Sequence, residues 1–263
     1  MLALASSEAD AGPSLAWVGT RARREAGGWI LDGRKIAVAA LPLAEAVVVS
    51  ARTAGEPGSR DGIGLFVVPT RANGVTVTPY RRFDGVAAGD LALDGVRIDE
   101  AGLLGDPAGG LAALERAVDL ATVAACADAL GAMTAVLQKT AAYLATRRQF
   151  DAPLASFQVL QHRLVDLYGA VEASRSMVIY AALHAGAPAA ERARAASAAK
   201  TAVGERARFV GQQGVQLHGG VGMTEELDIG HYFRRLTLFQ QAYGGADFHL
   251  QRFAALREAA EAS

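Results

Sequence analysis

Two patterns of apolar positions divide the chain. Up to about residue 105 the apolar residues alternate with polar ones or form short runs bounded by turn-forming dipeptides, as β-strands require. Beyond it they recur at three- and four-residue intervals, the period of an α-helix. Trp29-Ile30-Leu31-Asp32-Gly33 predicts a strand meeting an Asp-Gly hairpin turn. Strands are also predicted over 47–52 and 64–69, on either side of the breaker-rich loop 53–62. Asn73-Gly74 marks a second turn, 75–78 alternates like a half-buried strand, and Asp94-Gly95 separates two short strands. Strands so spaced predict an antiparallel β-barrel or sandwich over residues 1–105.

The segment Gly105-Asp106-Pro107-Ala108-Gly109-Gly110 ends that pattern. Leu111, Leu114, Val118 and Ala121 open an apolar stripe that reaches Leu137 and Tyr143. It predicts a helix of about 35 residues, roughly 50 Å long, which Pro153 breaks. Further helices are predicted over about 155–185, about 189–216, and from Thr224 onward. Thr224 is the expected N-cap, with Glu225 and Glu226 in the first turn. The expected fold is α+β: the β domain, then an antiparallel four-helix bundle over 106–263.

Composition narrows the function classes. The chain has 263 residues, is 51% hydrophobic and carries a net charge of −1. It can bury a large core, and it lacks the basic excess expected of a nucleic-acid binder. Its single cysteine, Cys126, lies in an apolar run. That excludes a disulfide within the chain and a metal site built on thiolates, and it fits a reduced cytoplasm. No run of about 18 uninterrupted apolar residues predicts a membrane span. The N-terminus has no basic segment of the secretory kind and reads as a chain that starts inside a strand.

Candidate chemistry concentrates in two stretches. Val215-Gln216-Leu217-His218-Gly219-Gly220-Val221-Gly222-Met223-Thr224 packs three glycines into four positions between helical patterns. Such density marks a tight turn or a close backbone approach, either a helix–helix loop or a phosphate cradle. His218 reads as a packed histidine or a base, without a nucleophile or carboxylate indicated beside it. His162, His184, His231 and His249 show no metal-ligand spacing. In Arg147-Arg148-Gln149-Phe150, arginine at a helix end either complements the helix dipole or binds pyrophosphate through paired hydrogen bonds.

These stretches resemble known motifs. Tyr143-x3-Arg147-Arg148-Gln149-Phe150-x2-Pro153-Leu154-x2-Phe157-Gln158-x2-Gln161-His162 is similar to the motif that opens the C-terminal helical domain of acyl-CoA dehydrogenases. Gln216-Leu217-His218-Gly219-Gly220-Val221-Gly222-Met223-Thr224, followed by His231-Tyr232-Phe233-Arg234-Arg235-Leu236, resembles that domain's second motif. Trp29-Ile30-Leu31-Asp32-Gly33-x-Lys35 resembles the hairpin of the family's middle β domain. The resemblance covers nearly the whole chain, which reads as beginning at the middle domain without the family's N-terminal helical domain. It implies an FAD cofactor, an acyl-CoA substrate, and a bundle that holds a neighbouring subunit's FAD. Carried over by position, Arg147, Gln149, Phe150, Gln158, Gln216, Gly219 and Gly220 take the pyrophosphate and adenine contacts.

The resemblance fails where the reaction needs a base. The family removes the substrate α-proton with a glutamate in a Tyr-Glu-Gly-Thr segment, read here as Tyr243-Gly244-Gly245-Ala246. Gly244 stands at the base position, and Ala121 stands at the alternative one on the first long helix. Asp119 and Asp247 are near but off register. The family's flavin-facing aromatic and hydroxyl segment is Ile36-Ala37-Val38-Ala39-Ala40, with neither. Its other flavin-facing strand end survives only as Ser6-Ser7-Glu8-Ala9-Asp10-Ala11-Gly12. The implied reading is a base-less subunit of a hetero-oligomer whose partner bears the base. A self-sufficient homo-oligomeric enzyme with a non-standard base, or a non-catalytic scaffold of the same fold, stay open.

Overall fold

The computed structural model describes residues 1–261. The chain forms two compact units, Met1–Ala117 and a second from Val118 on. The first holds a seven-stranded curled sheet: β1 (Leu2–Ala5), β2 (Arg21–Glu25), β3 (Gly28–Ala39), β4 (Ala46–Arg52), β5 (Ile63–Pro69), β6 (Val75–Arg81) and β7 (Ala87–Asp99). The order is β1-β4-β2-β3-β7-β6, with β5 paired to β4. The pairing is mainly antiparallel, but β1 runs parallel to β4, so the sheet is mixed. The inward face packs Trp29 edge-on to Phe66 at 5.4 Å, with Leu31, Val47, Val49, Leu91 and Val96 around them.

Neither Asp32-Gly33 nor Asp94-Gly95 is a turn. β3 and β7 run straight through 32–33 and 94–95, and the register slips between Leu31 and Gly33. The two dipeptides face each other as a bulge, where Asp32 Oδ1 accepts the Gly95 N–H at 2.7 Å. Gly33 takes φ 150° and lies so close to Thr20 that a Cβ would meet its Cα at 2.7 Å. A bulge and a hairpin turn ask for the same local conformations, so the dipeptide alone does not separate them. The β2–β3 hairpin turns instead at Gly27, with φ +82°.

The helices are α1 (Gly110–Thr146), α2 (Gln158–Leu183), α3 (Ala189–His218), α4 (Ile229–Phe239) and α5 (Ala246–Glu261). The first turns of α1 fall in the compact unit that holds the sheet, where Leu111 packs on Val18 and Ile63. Between α1 and α2 the chain makes a short hairpin, β8 (Arg148–Gln149) with β9 (Ala152–Pro153). The second unit buries Cys126, Met133, Val136, Leu167, Val203, Val210 and Leu236 in one core. By length and composition α1 is long and apolar enough to cross a membrane, yet from Val123 on its buried face belongs to that core. The expected fourth helix is two helices, separated by residues 240–245. Thr224 caps neither: α4 starts at Ile229 after Asp228, and Thr224 Oγ1 accepts the Glu226 N–H at 3.3 Å in the preceding turn.

Candidate functional site: an open cleft and a closed turn

The end of α1, the start of α2 and the end of α3 enclose a cleft of about 540 Å³. Five of the seven residues expected at a cofactor line it: Arg147, Gln149, Gln216, Gly219 and Gly220. Tyr143, Arg163 and His218 join them. Phe150 and Gln158 stand outside this wall. Phe150 sits at the β8–β9 tip, 86% exposed, with only an edge contact to Phe157. Gln158 is the exposed first residue of α2.

Two of the cleft's polar side chains are not used internally, although the Gly219 N–H donates to the Gln216 carbonyl and Arg163 Nη1 donates to Gln213 Oε1 at 3.4 Å. Among the described residues the Arg147 guanidinium and the Gln216 amide make no hydrogen bond, and Gln149 only touches its own neighbour's carbonyl at 2.9 Å. Gly219 has φ 66° and ψ −147°, a conformation essentially reserved for glycine. A Cβ on Gly219 or Gly220 would meet nothing within 4 Å. Packing therefore does not require Gly220, whereas Gly222 is required: its Cβ would lie 2.8 Å from the Val215 carbonyl. What remains is exposed backbone beside an unpaired guanidinium, which fits a phosphate-bearing group. His218 is part of the wall's support. It is buried, its Nδ1–H donates to the Gly214 carbonyl at 2.7 Å, and its ring stacks on Tyr143 at 4.5 Å.

Residues 240–245 contrast with the cleft. Gly244 is buried with φ +104°, and a Cβ there would lie 2.5 Å from Phe248 Cδ1. Its N–H donates to Gln241 O at 3.2 Å. Its carbonyl takes the Lys200 ammonium at 2.8 Å, which also donates to Gln240 O at 3.1 Å and lies 4.6 Å from the Phe239 ring. Burial pulls Lys200 down to about 8. His249 closes the other side. Its Nε2–H donates to the Tyr243 carbonyl at 2.9 Å, which leaves Nδ1 to accept from Ser197 Oγ at 3.2 Å. Burial pulls His249 down to about 4. Neither Lys200 nor Phe248 was signalled by any motif, because both reach the turn from other elements.

The substitute bases fare differently. Asp119 is 1% exposed and is bound by Arg252 at 2.7 Å and Arg192 at 3.2 Å, so its carboxylate is committed. Asp247 is exposed in the first turn of α5. Cys126 is a buried core thiol pushed up to about 12 by burial. In the β unit, Glu8 anchors a buried cluster. It binds Lys35 at 2.6 Å and Thr20 Oγ1 at 2.7 Å. Burial works to raise the Glu8 carboxyl, but the Lys35 ammonium and the Thr20 donors hold it below its ordinary value. Ala37 and Ala40, in the stretch without aromatic or hydroxyl, both have positive φ, 53° and 59°.

Comparison with known proteins agrees with this architecture. Residues 3–96 match the acyl-CoA dehydrogenase middle domain, and residues 108–255 match the acyl-CoA dehydrogenase C-terminal domain. Similar curated proteins include a probable acyl-CoA dehydrogenase, YngJ, of Bacillus subtilis, 29% identical over 96% of this chain and 66% of its own length. Another is mitochondrial isovaleryl-CoA dehydrogenase of Arabidopsis thaliana, 30% identical over 93% of this chain and 60% of its own. A 3-(aryl)acrylate reductase of Clostridium sporogenes is 29% identical over 89% and 62%. The chain thus spans about three-fifths to two-thirds of these relatives. Among solved structures, the Tcur3481-Tcur3483 steroid ACAD G363A variant superposes with a TM-score of 0.87 at 32% identity, over 100% of this chain and 68% of that one. Butyryl-CoA dehydrogenase of Megasphaera elsdenii gives 0.90 at 25% identity, over 97% and 67%. Two domain matches that together cover most of the chain, in the order its two units occur, make this chain a member of the acyl-CoA dehydrogenase family.

Proposed function

We propose that this chain is a subunit of an FAD-dependent acyl-CoA dehydrogenase that lacks its own catalytic base and completes the FAD site of a base-bearing partner chain. The observation that carries the reading is the state of Gly244. At the position where the family resemblance expects the glutamate, the backbone has φ +104°, its carbonyl is held by buried Lys200, and Phe248 fills the space of a side chain. Ala121 at the alternative position offers only a methyl group. FAD, when bound, accepts the β-hydride of the acyl-CoA thioester.

This chain's residues bind and orient. Arg147 offers two parallel N–H groups to a pyrophosphate. Gly219 and Gly220 let the phosphate approach backbone, and Gln149 and Gln216 supply amides. Phe150 presents an exposed ring and Gln158 an exposed amide at the start of α2. The wholly aliphatic stretch 36–40 supports assigning the flavin-ring wall to the partner. The neighbour named for two components, Tcur3481-Tcur3483, is in keeping with a hetero-oligomer.

The test co-expresses the chain with a base-bearing acyl-CoA dehydrogenase chain and counts flavin in the purified assembly. Arg147→Ala lowers FAD per assembly at least about tenfold, the loss expected for a charge-assisted bidentate contact. Unchanged FAD content in that variant refutes the assignment and leaves the scaffold reading. A self-sufficient enzyme would use Asp247, the one exposed substitute. Asp247→Asn with unaltered turnover removes it.

A further inference from the structure

The chain is nearly free of lysine. Of its 26 basic residues only three are lysines, Lys35, Lys139 and Lys200. Lys35 and Lys200 are fully buried, and each ammonium is bound by oxygen atoms around it. Lys139, in the last third of α1, is the lysine whose amine reaches solvent, with its side chain 42% exposed. Acyl-CoA thioesters acylate amines, so a member of this family works beside a reagent that finds one open lysine on this chain.

Lys139 also holds a piece of the cleft. Its Nζ lies 2.8 Å from Asp228 Oδ2. Asp228 is the N-cap residue of α4, yet its carboxylate makes no cap bond to that helix, the bond an aspartate ordinarily forms there. It reaches to α1 instead. Asp228 ends the stretch 219–228, of which Gly219, Gly220, Val221 and Leu227 line the cleft. Between them Met223 is 76% exposed, and Thr224, Glu225 and Glu226 are exposed as well. A stretch with so little buried surface opens locally at low cost. Glu225 ties it to Arg234 of α4, and Asp228 ties it to α1.

We propose that Lys139 is an acylation site for acyl-CoA thioesters, and that its acylation releases the 219–228 wall of the cleft. The free ε-amine attacks the thioester carbonyl. A C–N bond forms, the C–S bond breaks, and CoA leaves as the thiol with the proton the amine gives up. The amide product offers Asp228 no charge, and the carboxylate turns to the unpaired N–H groups at the start of α4. Asp228 therefore has two arrangements, and acylation selects between them. The hydrogen bond to Asp228 and the charge of that carboxylate hold the Lys139 ammonium above its ordinary value, so the pair slows the reaction that breaks it. The consequence for flavin rests on the cleft being the cofactor site proposed above; the release of the stretch does not.

The full chain is incubated with butyryl-CoA, digested and read by mass spectrometry. Acyl label appears at Lys139 and not at Lys35 or Lys200, and Asp228→Asn speeds labelling about fivefold, the ceiling for an exposed ion pair. Amide hydrogen exchange over 219–228, measured without flavin, rises about threefold to fivefold in Lys139→Gln, which imitates the amide. It keeps its unaltered rate in Lys139→Arg, which retains the charge. In the assembly with a base-bearing chain, the FAD dissociation constant rises in Lys139→Gln and not in Lys139→Arg. No label at Lys139, or exchange in Lys139→Gln equal to that of the unaltered chain, overturns the proposal. Faster exchange in Lys139→Gln, with FAD affinity unaltered both there and in Arg147→Ala, overturns the cofactor reading of the cleft and supports the acylation site.

Discussion

At the cleft formed by Arg147, Gln149, Gln216, Gly219 and Gly220, the Arg147 guanidinium and the Gln216 amide have no internal hydrogen-bond partner among the described residues. At residues 240–245 of the same unit, the polar groups are consumed internally. Lys200 takes two carbonyls of the turn, His249 takes a third, and the Gly244 N–H returns to Gln241. A binding surface must keep its hydrogen-bonding capacity for a ligand. A structural turn must satisfy it at once, because a buried unpaired group costs on the order of 1–3 kcal/mol. The two regions are both glycine-bearing segments between helices, and this difference in spent and unspent groups separates their roles.

Substitutions can break that contrast. Lys200→Met removes both donors from the Gln240 and Gly244 carbonyls, and urea unfolding shows a loss of about 2–4 kcal/mol. Gly244→Glu forces a side chain onto Phe248 at a positive φ and costs about 2–3 kcal/mol, without conferring acyl-CoA turnover. Adding Phe248→Ala relieves the clash but not the backbone, so only part of that loss is recovered. Retention of full stability in Gly244→Glu contradicts the closed turn. The pH dependence is smaller. His249 is held neutral, with its folded value near 4 against an ordinary 6.5. Between those values the unfolded chain binds the extra proton, so the His249 contribution to stability is lost as pH falls from about 6.5 toward 4. His249→Gln flattens that limb of the stability profile. Arg147→Ala has the smallest effect on the fold, within about 0.5 kcal/mol, because among the described residues the guanidinium has no hydrogen bond or ion pair to lose.

The sequence made local and periodic features legible. The helical stripe from Leu111, a break before Pro153 and the strands over 47–52 and 64–69 follow from spacing and side-chain type, and the structure has them, with α1 ending at Thr146 and the strands at Ala46–Arg52 and Ile63–Pro69. The cleft was legible through the two motifs that carry Arg147 and Gly219, which the fold brings together from positions about seventy residues apart. Asp32-Gly33 and Asp94-Gly95 were not readable as a bulge, because the cross-strand bond from Gly95 to Asp32 is a tertiary fact. The Lys200 clamp and the Phe248 block were hidden for the same reason. Each acts on Gly244 from a neighbouring helix, and no local propensity encodes a donor arriving from α3.

A subunit that completes a partner's FAD site does not hold a working flavin site alone. The most direct measurement is flavin absorbance and acyl-CoA turnover of the purified chain, with and without a base-bearing partner. The expected result is a nearly colourless, inactive chain on its own and stoichiometric FAD with turnover in the mixed assembly. Stoichiometric FAD and acyl-CoA oxidation by the lone chain would contradict it.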